Sequence, residues 1–316
     1  FAMSTPRLAR FAWAVLAYNI AVILWGGFVR ATGSGAGCGN HWPTCNGDIV
    51  PRAAVLDTII EFTHRVTSGL ALLLVVALVV WAFRVRPRKD PARRAAVWAL
   101  VFVLFEAAIG AGLVLFEWVA GDTSLARGFV MGAHLVNTFF LLGALTLAGY
   151  YARGGTGFGL PAGRTGKILG VGIFGMLLAA ASGGVAALGD TLFPAHSLAA
   201  GLAEDLSPTA HIFLRVRTLH PVFTIATAIL LVTAAVLIRR QTTLLAVRRA
   251  TTFLLMVVIA QVVAGALDVL WLAPIPLQLI HLVFADAVWI ALVLVIATTA
   301  QSELPVPAGH PAIASP

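Results

Sequence analysis

The chain has 316 residues, of which 60% are hydrophobic and only 11% are charged, and its mean hydropathy is +0.96. These values exclude an ordinary soluble domain and indicate a polytopic membrane protein. The formal net charge of +8 would also suit nucleic-acid binding, but the basic residues lie in short segments between apolar runs. In that position they indicate membrane topology instead.

Eight apolar runs are each long enough to cross roughly 30 Å of hydrocarbon as a helix. We therefore predict an all-α polytopic membrane protein with eight transmembrane helices and no separate soluble domain. The predicted spans lie near residues 11–30, 65–84, 95–117, 128–151, 167–188, 213–238, 248–272 and 277–300. The first run lacks a small-residue cleavage site, so we expect an anchor rather than a signal peptide.

Lys and Arg are distributed unequally between the two ends of the predicted helices. With the N-terminus inside, 15 of the 21 basic residues fall in the inner segments. The outer ones are Arg30, Arg52, Arg65, Arg127, Arg215 and Arg217. This bias predicts that both termini face inward. Cys38 and Cys45 then share the first outer loop, on the oxidising side, where we expect them to form a disulfide.

Short segments recur in the same order in the two halves of the chain. The matches are Gly26-Gly27 with Gly183-Gly184, Glu61-Phe-Thr-His64 with Arg217-Thr-Leu-His220, Glu106-Ala-Ala-Ile-Gly110 with Gln261-Val-Val-Ala-Gly265, and His134 with His281. Because four helices separate the copies, this is a parallel repeat. It predicts two pseudo-symmetric four-helix bundles, at 1–160 and 161–304, followed by a disordered tail at 305–316.

The repeat places four histidines near the outer starts of helices 2, 4, 6 and 8. They are His64, His134, His220 and His281. One such histidine is as well explained by a structural role at the membrane interface, but four equivalent ones indicate metal chemistry. Zinc usually takes closely spaced ligands, and a di-iron site needs two Glu-x-x-His motifs, whereas only Glu61-x-x-His64 occurs. Two histidines on separate helices are sufficient to ligate one haem iron.

Other residues agree with a haem site, although each has a simpler explanation. Glycine-rich outer helix ends, such as Gly183-Gly184, would admit a flat macrocycle, but small residues also serve ordinary helix packing. Arg65, Arg215 and Arg217 lie at the depth where haem propionates would emerge, but arginines also snorkel at interfaces. Glu106 and Gln261 are equivalent in the repeat, and we expect helix–helix hydrogen bonds there.

The motif Glu61-Phe-Thr-His-Arg-Val-Thr-Ser-Gly69 and the loop Gly37-Cys-Gly-Asn-His-Trp-Pro-Thr-Cys-Asn-Gly47 resemble the haem A synthase family, which converts haem O to haem A for terminal oxidases. The resemblance covers essentially all eight helices. It implies that His220 and His281 ligate a resident haem b. It further implies that His64 and His134 flank the substrate haem O, of which one methyl group is oxidised to a formyl group.

The two halves are not identical, and the difference indicates where the chemistry occurs. Glu61 lies one turn from His64 on the same helix face. In the second copy, Arg217 replaces this acid and Pro221 follows His220. We therefore predict catalytic roles for Glu61, His64 and His134, with Glu61 transferring protons. Arg217 is predicted to help hold haem b. The alternative for Glu61 is an ion pair with Arg65, worth about 0.5 kcal/mol.

A second function class is a di-haem cytochrome b that transfers electrons without modifying either haem, and a transporter is the third. The Cys38–Cys45 disulfide is expected to staple its loop, although its place above the N-terminal site also suits a redox role. The resemblance implies a bacterial plasma membrane with the haem sites toward the outer side. Expected partners are the haem substrate, lipid, a haem O synthase and an electron donor. Nucleic acid is not expected, and monomer and homo-oligomer are both compatible with the sequence.

Overall fold

The computed structural model describes residues 5–52 and 55–302, so the predicted tail lies outside the described residues. Within these ranges the chain is helical, with a short 3-10 turn at Ser34–Ala36 and no β-strand. The helices are α1 Pro6–Ala31, α2 Leu56–Val85, α3 Pro91–Leu115, α4 Leu125–Ala152, α5 Gly163–Leu192, α6 Leu198–Asp205, α7 Ile212–Gln241, α8 Leu245–Leu270 and α9 Ile275–Ser302.

Eight of these helices are long and apolar enough to cross a membrane, and α6 is the exception. The prediction of an all-α polytopic membrane protein is therefore confirmed. Large apolar side chains remain exposed along the outside of the bundle, among them Leu73, Ile229 and Ile259. In water such a surface would be unfavourable, but surrounding lipid is as apolar as these side chains.

Two boundaries differ from the prediction in ways that affect the site. Helix α2 begins at Leu56 rather than near residue 65, so Glu61 and His64 lie inside the helix and not at its mouth. Polar residues in this first stretch lower its hydropathy but do not prevent helix formation. The predicted outer loop 189–212 contains α6, whose N-cap Ser197 accepts a hydrogen bond of 3.2 Å from the backbone N–H of Ala200.

The centre of the bundle is formed by α4 and α9, which are the most enclosed of the long helices. Helix α4 packs against α1, α3, α5 and α9. Phe139 on α4 stacks on Trp289 of α9, with ring centroids 5.0 Å apart. The Trp289 indole N–H donates to the Phe139 carbonyl, which satisfies its one polar atom. This central contact joins the two halves of the chain.

A second connection between the halves is made by Arg30, near the outer end of α1. Its Nη1 donates to the Ala187 carbonyl at 2.6 Å and to Thr191 Oγ1 at 2.7 Å, both on α5. Its Nη2 donates to Gln278 Oε1 of α9 at 2.7 Å. One guanidinium therefore holds three helices together through neutral acceptors.

Candidate functional site

The four predicted histidines lie at similar depths. His64, His134, His220 and His281 follow the first residues of α2, α4, α7 and α9 by 8, 9, 8 and 6 residues. A helix rises 1.5 Å per residue, so these positions lie roughly 9–14 Å below the helix starts. The four helices are every second span and therefore begin on the same side of the bundle.

His220 and His281 face each other across the C-terminal half. Their ring centroids are 6.5 Å apart and the rings are inclined by 84°. A bond of about 2 Å between metal and imidazole nitrogen, made on both faces of one iron, requires centroids roughly 6 Å apart. The distance fits two axial ligands of one haem.

Glycines allow both rings to pack directly on helix backbone. A Cβ added to Gly183 would lie 3.1 Å from Cε1 of His220, and one added to Gly265 would lie 2.8 Å from Cε1 of His281. Any larger residue would displace the rings. Nδ1 of His220 is 2.9 Å from Ser182 Oγ, which leaves Nε2 for a metal. A hydrogen bond to the other ring nitrogen is the usual support for a ligating histidine.

His281 has a different neighbour. Its Nε2 lies 3.3 Å from Nε2 of Gln261, the residue that matches Glu106 in the repeat. The contact involves the nitrogen that would face an iron, so it can persist only without a metal on that nitrogen. The amide is neutral and adds no charge to the ring.

In the N-terminal half, His64 packs on α1 in the same manner as His220 packs on α5. A Cβ on Gly26 would lie 2.9 Å from Cε1 of His64. Nδ1 of His64 is buried and has no hydrogen-bond partner within residues 5–52 and 55–302. Helix α1 packs against both α2 and α4, which carry the two predicted ligands His64 and His134.

His134 is held by Glu106 of α3. Nδ1 of His134 lies 2.6 Å from Oε2 of Glu106. The other oxygen, Oε1, accepts hydrogen bonds from Asn137 Nδ2 at 2.8 Å and Thr138 Oγ1 at 3.0 Å. The predicted hydrogen bonding between helices at Glu106 is confirmed through Asn137 and Thr138, and the His134 ring lies within ion-pair distance of the same carboxyl.

Glu61 is buried, with 3% of its surface exposed, and its carboxyl is directed to the first outer loop. Oε2 accepts the Cys38 backbone N–H at 2.8 Å, and Oε1 accepts Arg65 Nε at 3.1 Å. Arg65 in turn donates to the carbonyls of His41 at 2.5 Å and Thr44 at 2.6 Å. The ion pair with Arg65 is therefore present, and no hydrogen bond between Glu61 and His64 occurs in the part of the chain described.

The first outer loop lies directly on the start of α2. The predicted Cys38–Cys45 disulfide is formed. Thr58 Oγ1 donates to the Gly37 carbonyl at 2.7 Å, and a Cβ on Gly37 would lie only 2.4 Å from the Asp57 backbone. Glycine at this position is what permits the close approach, which places the disulfide over the buried carboxyl.

Arg217 interacts with protein groups. Its Nε donates to Asp205 Oδ2 at 3.1 Å, and Nη1 donates to Asp190 Oδ1 at 3.3 Å and to the Phe193 carbonyl at 3.2 Å. A further ion pair joins Nη2 to Asp205 Oδ1. These bonds tie the first part of α7 to α5 and α6.

The family model described as cytochrome oxidase assembly protein (COX15-CtaA) matches residues 9–57 and 53–293 of the chain. The chain belongs to this cytochrome oxidase assembly protein family. The first match contains both cysteines, and the second contains Glu61 and all four histidines. The residues that form the site therefore lie in the part of the chain that defines the family.

Curated relatives of the chain carry two different names. A protoheme IX farnesyltransferase of Thermus thermophilus is 45% identical over 92% of this chain and 48% of its own length. Heme A synthases of an Exiguobacterium species and of Halalkalibacterium halodurans are 38% and 36% identical over 43% and 40% of this chain, and over 44% and 42% of their own lengths. The chain thus spans about half the length of the curated relatives it matches, or less.

Some partners at the site were not anticipated from the sequence of this family member. Ser182 precedes Gly183-Gly184, and the corresponding residue of the first half is Trp25. Extending the repeat by one residue would have revealed this difference. The acceptors of Arg30 lie on helices far along the chain, and the aspartates around Arg217 precede it by 12 and 27 residues, so neither set gives a local signal.

Proposed function

We propose that the chain is a haem-modifying oxidoreductase that oxidises a methyl group of haem O to the formyl group of haem A. The observation that supports haem binding is the 6.5 Å separation of the His220 and His281 rings. Family membership supports a role in oxidase assembly, and the name heme A synthase on two relatives supports the reaction.

The two halves of the chain have separate roles in this proposal. In the half 161–304, His220 and His281 ligate a haem b that supplies one-electron chemistry when bound. In the half 1–160, His64 and His134 flank the substrate haem. The supporting contrast lies at matched positions of the repeat, where the first half has the acids Glu61 and Glu106 and the second half has Arg217 and Gln261.

The proposed oxidation releases protons as well as electrons, and both need an acceptor. Written with water as the oxygen source, one methyl group and one water give one formyl group, four protons and four electrons. The electrons pass to an external acceptor such as dioxygen or a quinone. Glu61 is the proposed proton acceptor, because it lies one turn from His64 and its carboxyl contacts the loop that covers the outer side. General bases of this kind contribute about 10²–10⁴-fold to rate.

The proposed substrate indicates a partner and a location. Haem O carries a farnesyl-derived group, and a relative of this chain is named protoheme IX farnesyltransferase, so we propose that such an enzyme delivers the substrate. The proposed location is a bacterial plasma membrane, with both haem sites toward the outer side. The basic inner segments support this orientation.

A di-haem cytochrome b is the second candidate, and the occurrence of a histidine pair in each half favours it. The two functions differ in the haems that the protein carries. The purified full chain is to be extracted with acidified acetone and its haems separated by chromatography. Haem O or haem A beside haem b supports the enzyme, whereas haem b alone in both sites supports the cytochrome. A protein without haem from haem-replete cells contradicts both.

A further inference from the structure

We propose that Glu106 is a positioning residue that makes His134 the stronger of the two axial ligands in the N-terminal half. His134 would then anchor the iron of the substrate haem, and His64 would be the ligand that can leave. This inference rests on the proposed function, because it requires a haem between these two histidines.

The geometry of Glu106 shows a carboxyl held in one orientation. Asn137 and Thr138 both donate to Oε1, and Asn137 Nδ2 also donates to the Phe102 carbonyl at 2.9 Å. Oε2 is left to contact Nδ1 of His134 at 2.6 Å. A carboxylate at this distance favours the tautomer with its N–H proton on Nδ1, which leaves Nε2 as the metal-binding nitrogen.

A carboxylate that accepts the proton of a ligating imidazole increases the electron donation of the ring to the metal. Among the four histidines, only His134 has a carboxylate within ion-pair distance in the described ranges. His220 contacts the hydroxyl of Ser182 and His281 contacts the amide of Gln261, both neutral groups. Nδ1 of His64 has no hydrogen-bond partner among the described residues. The two ligands of the N-terminal half are therefore unequal.

A comparison of equivalent glycines shows that the position of His134 also differs. The ring of His281 packs on Gly265, at 2.8 Å from an added Cβ, whereas no described atom lies within 4 Å of a Cβ added to Gly110. Gly110 and Gly265 match in the repeat. The ring of His134 therefore does not pack on Gly110 in the way that the ring of His281 packs on Gly265. The contact with Glu106 on the same α3 helix accounts for this difference.

The test removes the carboxylate that lies against Nδ1 of His134. Glu106→Gln is to be compared with the unmodified full chain, both purified and reconstituted with haem b as the probe. The midpoint potential of each haem is measured by spectroelectrochemical titration, and the iron–histidine stretching frequency by resonance Raman spectroscopy of the ferrous protein. The haem of the N-terminal half is identified as the one whose spectrum changes in His64→Ala.

We expect Glu106→Gln to shift the potential of the N-terminal haem to more positive values, because reduced electron donation favours the ferrous iron. Its iron–histidine frequency should fall, and its haem affinity should drop about 10- to 100-fold. The haem of the other half should not change. His134→Ala should lose the N-terminal haem, whereas His64→Ala should retain it with one axial ligand missing.

A purely structural role for Glu106 predicts a different result. The potential and the iron–histidine frequency of haem retained in Glu106→Gln would then equal those of the unmodified protein, and this outcome overturns the inference. If no bound haem depends on either His64 or His134, the proposed function itself is overturned.

Discussion

The backbone N–H of Cys38 donates a hydrogen bond of 2.8 Å to Oε2 of Glu61, joining the disulfide loop to helix α2. Arg65 completes the connection, because it binds Oε1 of the same carboxyl and two carbonyls of the loop. Glu61, which we propose as the proton acceptor, therefore also holds the first outer loop through hydrogen bonds. The two roles can be separated by substitution.

Glu61→Gln should abolish most of the activity without releasing the loop. A glutamine oxygen can still accept the Cys38 N–H, but the amide cannot accept a proton. We expect the rate of haem A formation in membranes to fall by about 100-fold or more, and thermal stability to fall by about 2 kcal/mol because the charge-assisted bond with Arg65 is weakened. Thr63→Val is the matched control, because the Thr63 hydroxyl lies on the same helix and donates to the Ile59 carbonyl one turn earlier. A normal rate in Glu61→Gln would show that the residue is structural.

Replacing Cys38 and Cys45 together by serine should have a modest effect on stability. The sequence separation is 7, and the entropy of closing so short a loop is worth about 2 kcal/mol. The contacts of Thr58 and Arg65 with the loop remain. We expect a small decrease in the thermal unfolding midpoint and retained activity. Chemically reduced unmodified protein should behave like the double variant, and loss of activity without loss of stability would instead indicate a redox role.

Gly265→Ala should weaken haem binding in the C-terminal half. The new Cβ would lie 2.8 Å from Cε1 of His281, so the ring must move away from the position that faces His220. We expect less haem b per protein in the purified variant, measured as the pyridine haemochrome. Gly170→Ala on α5 is the control, because its Cβ would meet the Leu160 side chain at an ordinary contact distance of 3.5 Å. Equal haem content in both variants would contradict the assignment of His220 and His281 as the haem b ligands.

Arg217→Gln should destabilise the protein but retain its haem b. The side chain is 15% exposed and pairs with two aspartates, and losing charge-assisted hydrogen bonds of this kind costs about 2 kcal/mol. Arg215→Gln is the neighbouring control, since Arg215 bonds to the exposed Pro208 carbonyl. Thermal unfolding and haem content are to be measured together. Loss of haem b with unchanged stability would support the original prediction that Arg217 holds the cofactor.

Sequence patterns predicted the fold well because the bilayer imposes simple requirements on length and polarity. All eight spans were found, and the disulfide was expected from two cysteines in one outer loop. The start of α2 was misplaced because Glu61, His64 and Arg65 lower the hydropathy of a stretch that is helical. Helix α6 was missed because a helix of eight residues is too short to give a distinct hydropathy signal.

The site was predictable only where the repeat provided a comparison. Four histidines at equivalent positions could be recognised, and the difference between Glu106 and Gln261 could be read directly. The direction in which a side chain points could not be predicted. Glu61 shares a helix face with His64, yet its carboxyl points to Cys38 and Arg65, because the loop supplies donors that the imidazole does not.

Arg30 has a consequence for the order in which the protein can be completed. Its acceptor Gln278 lies 248 residues later in the chain, and its other acceptors belong to α5. During synthesis α1 enters the membrane long before these helices exist. The guanidinium can reach its final set of hydrogen bonds only after α9 has been inserted, so the last transmembrane helix completes the surroundings of the first.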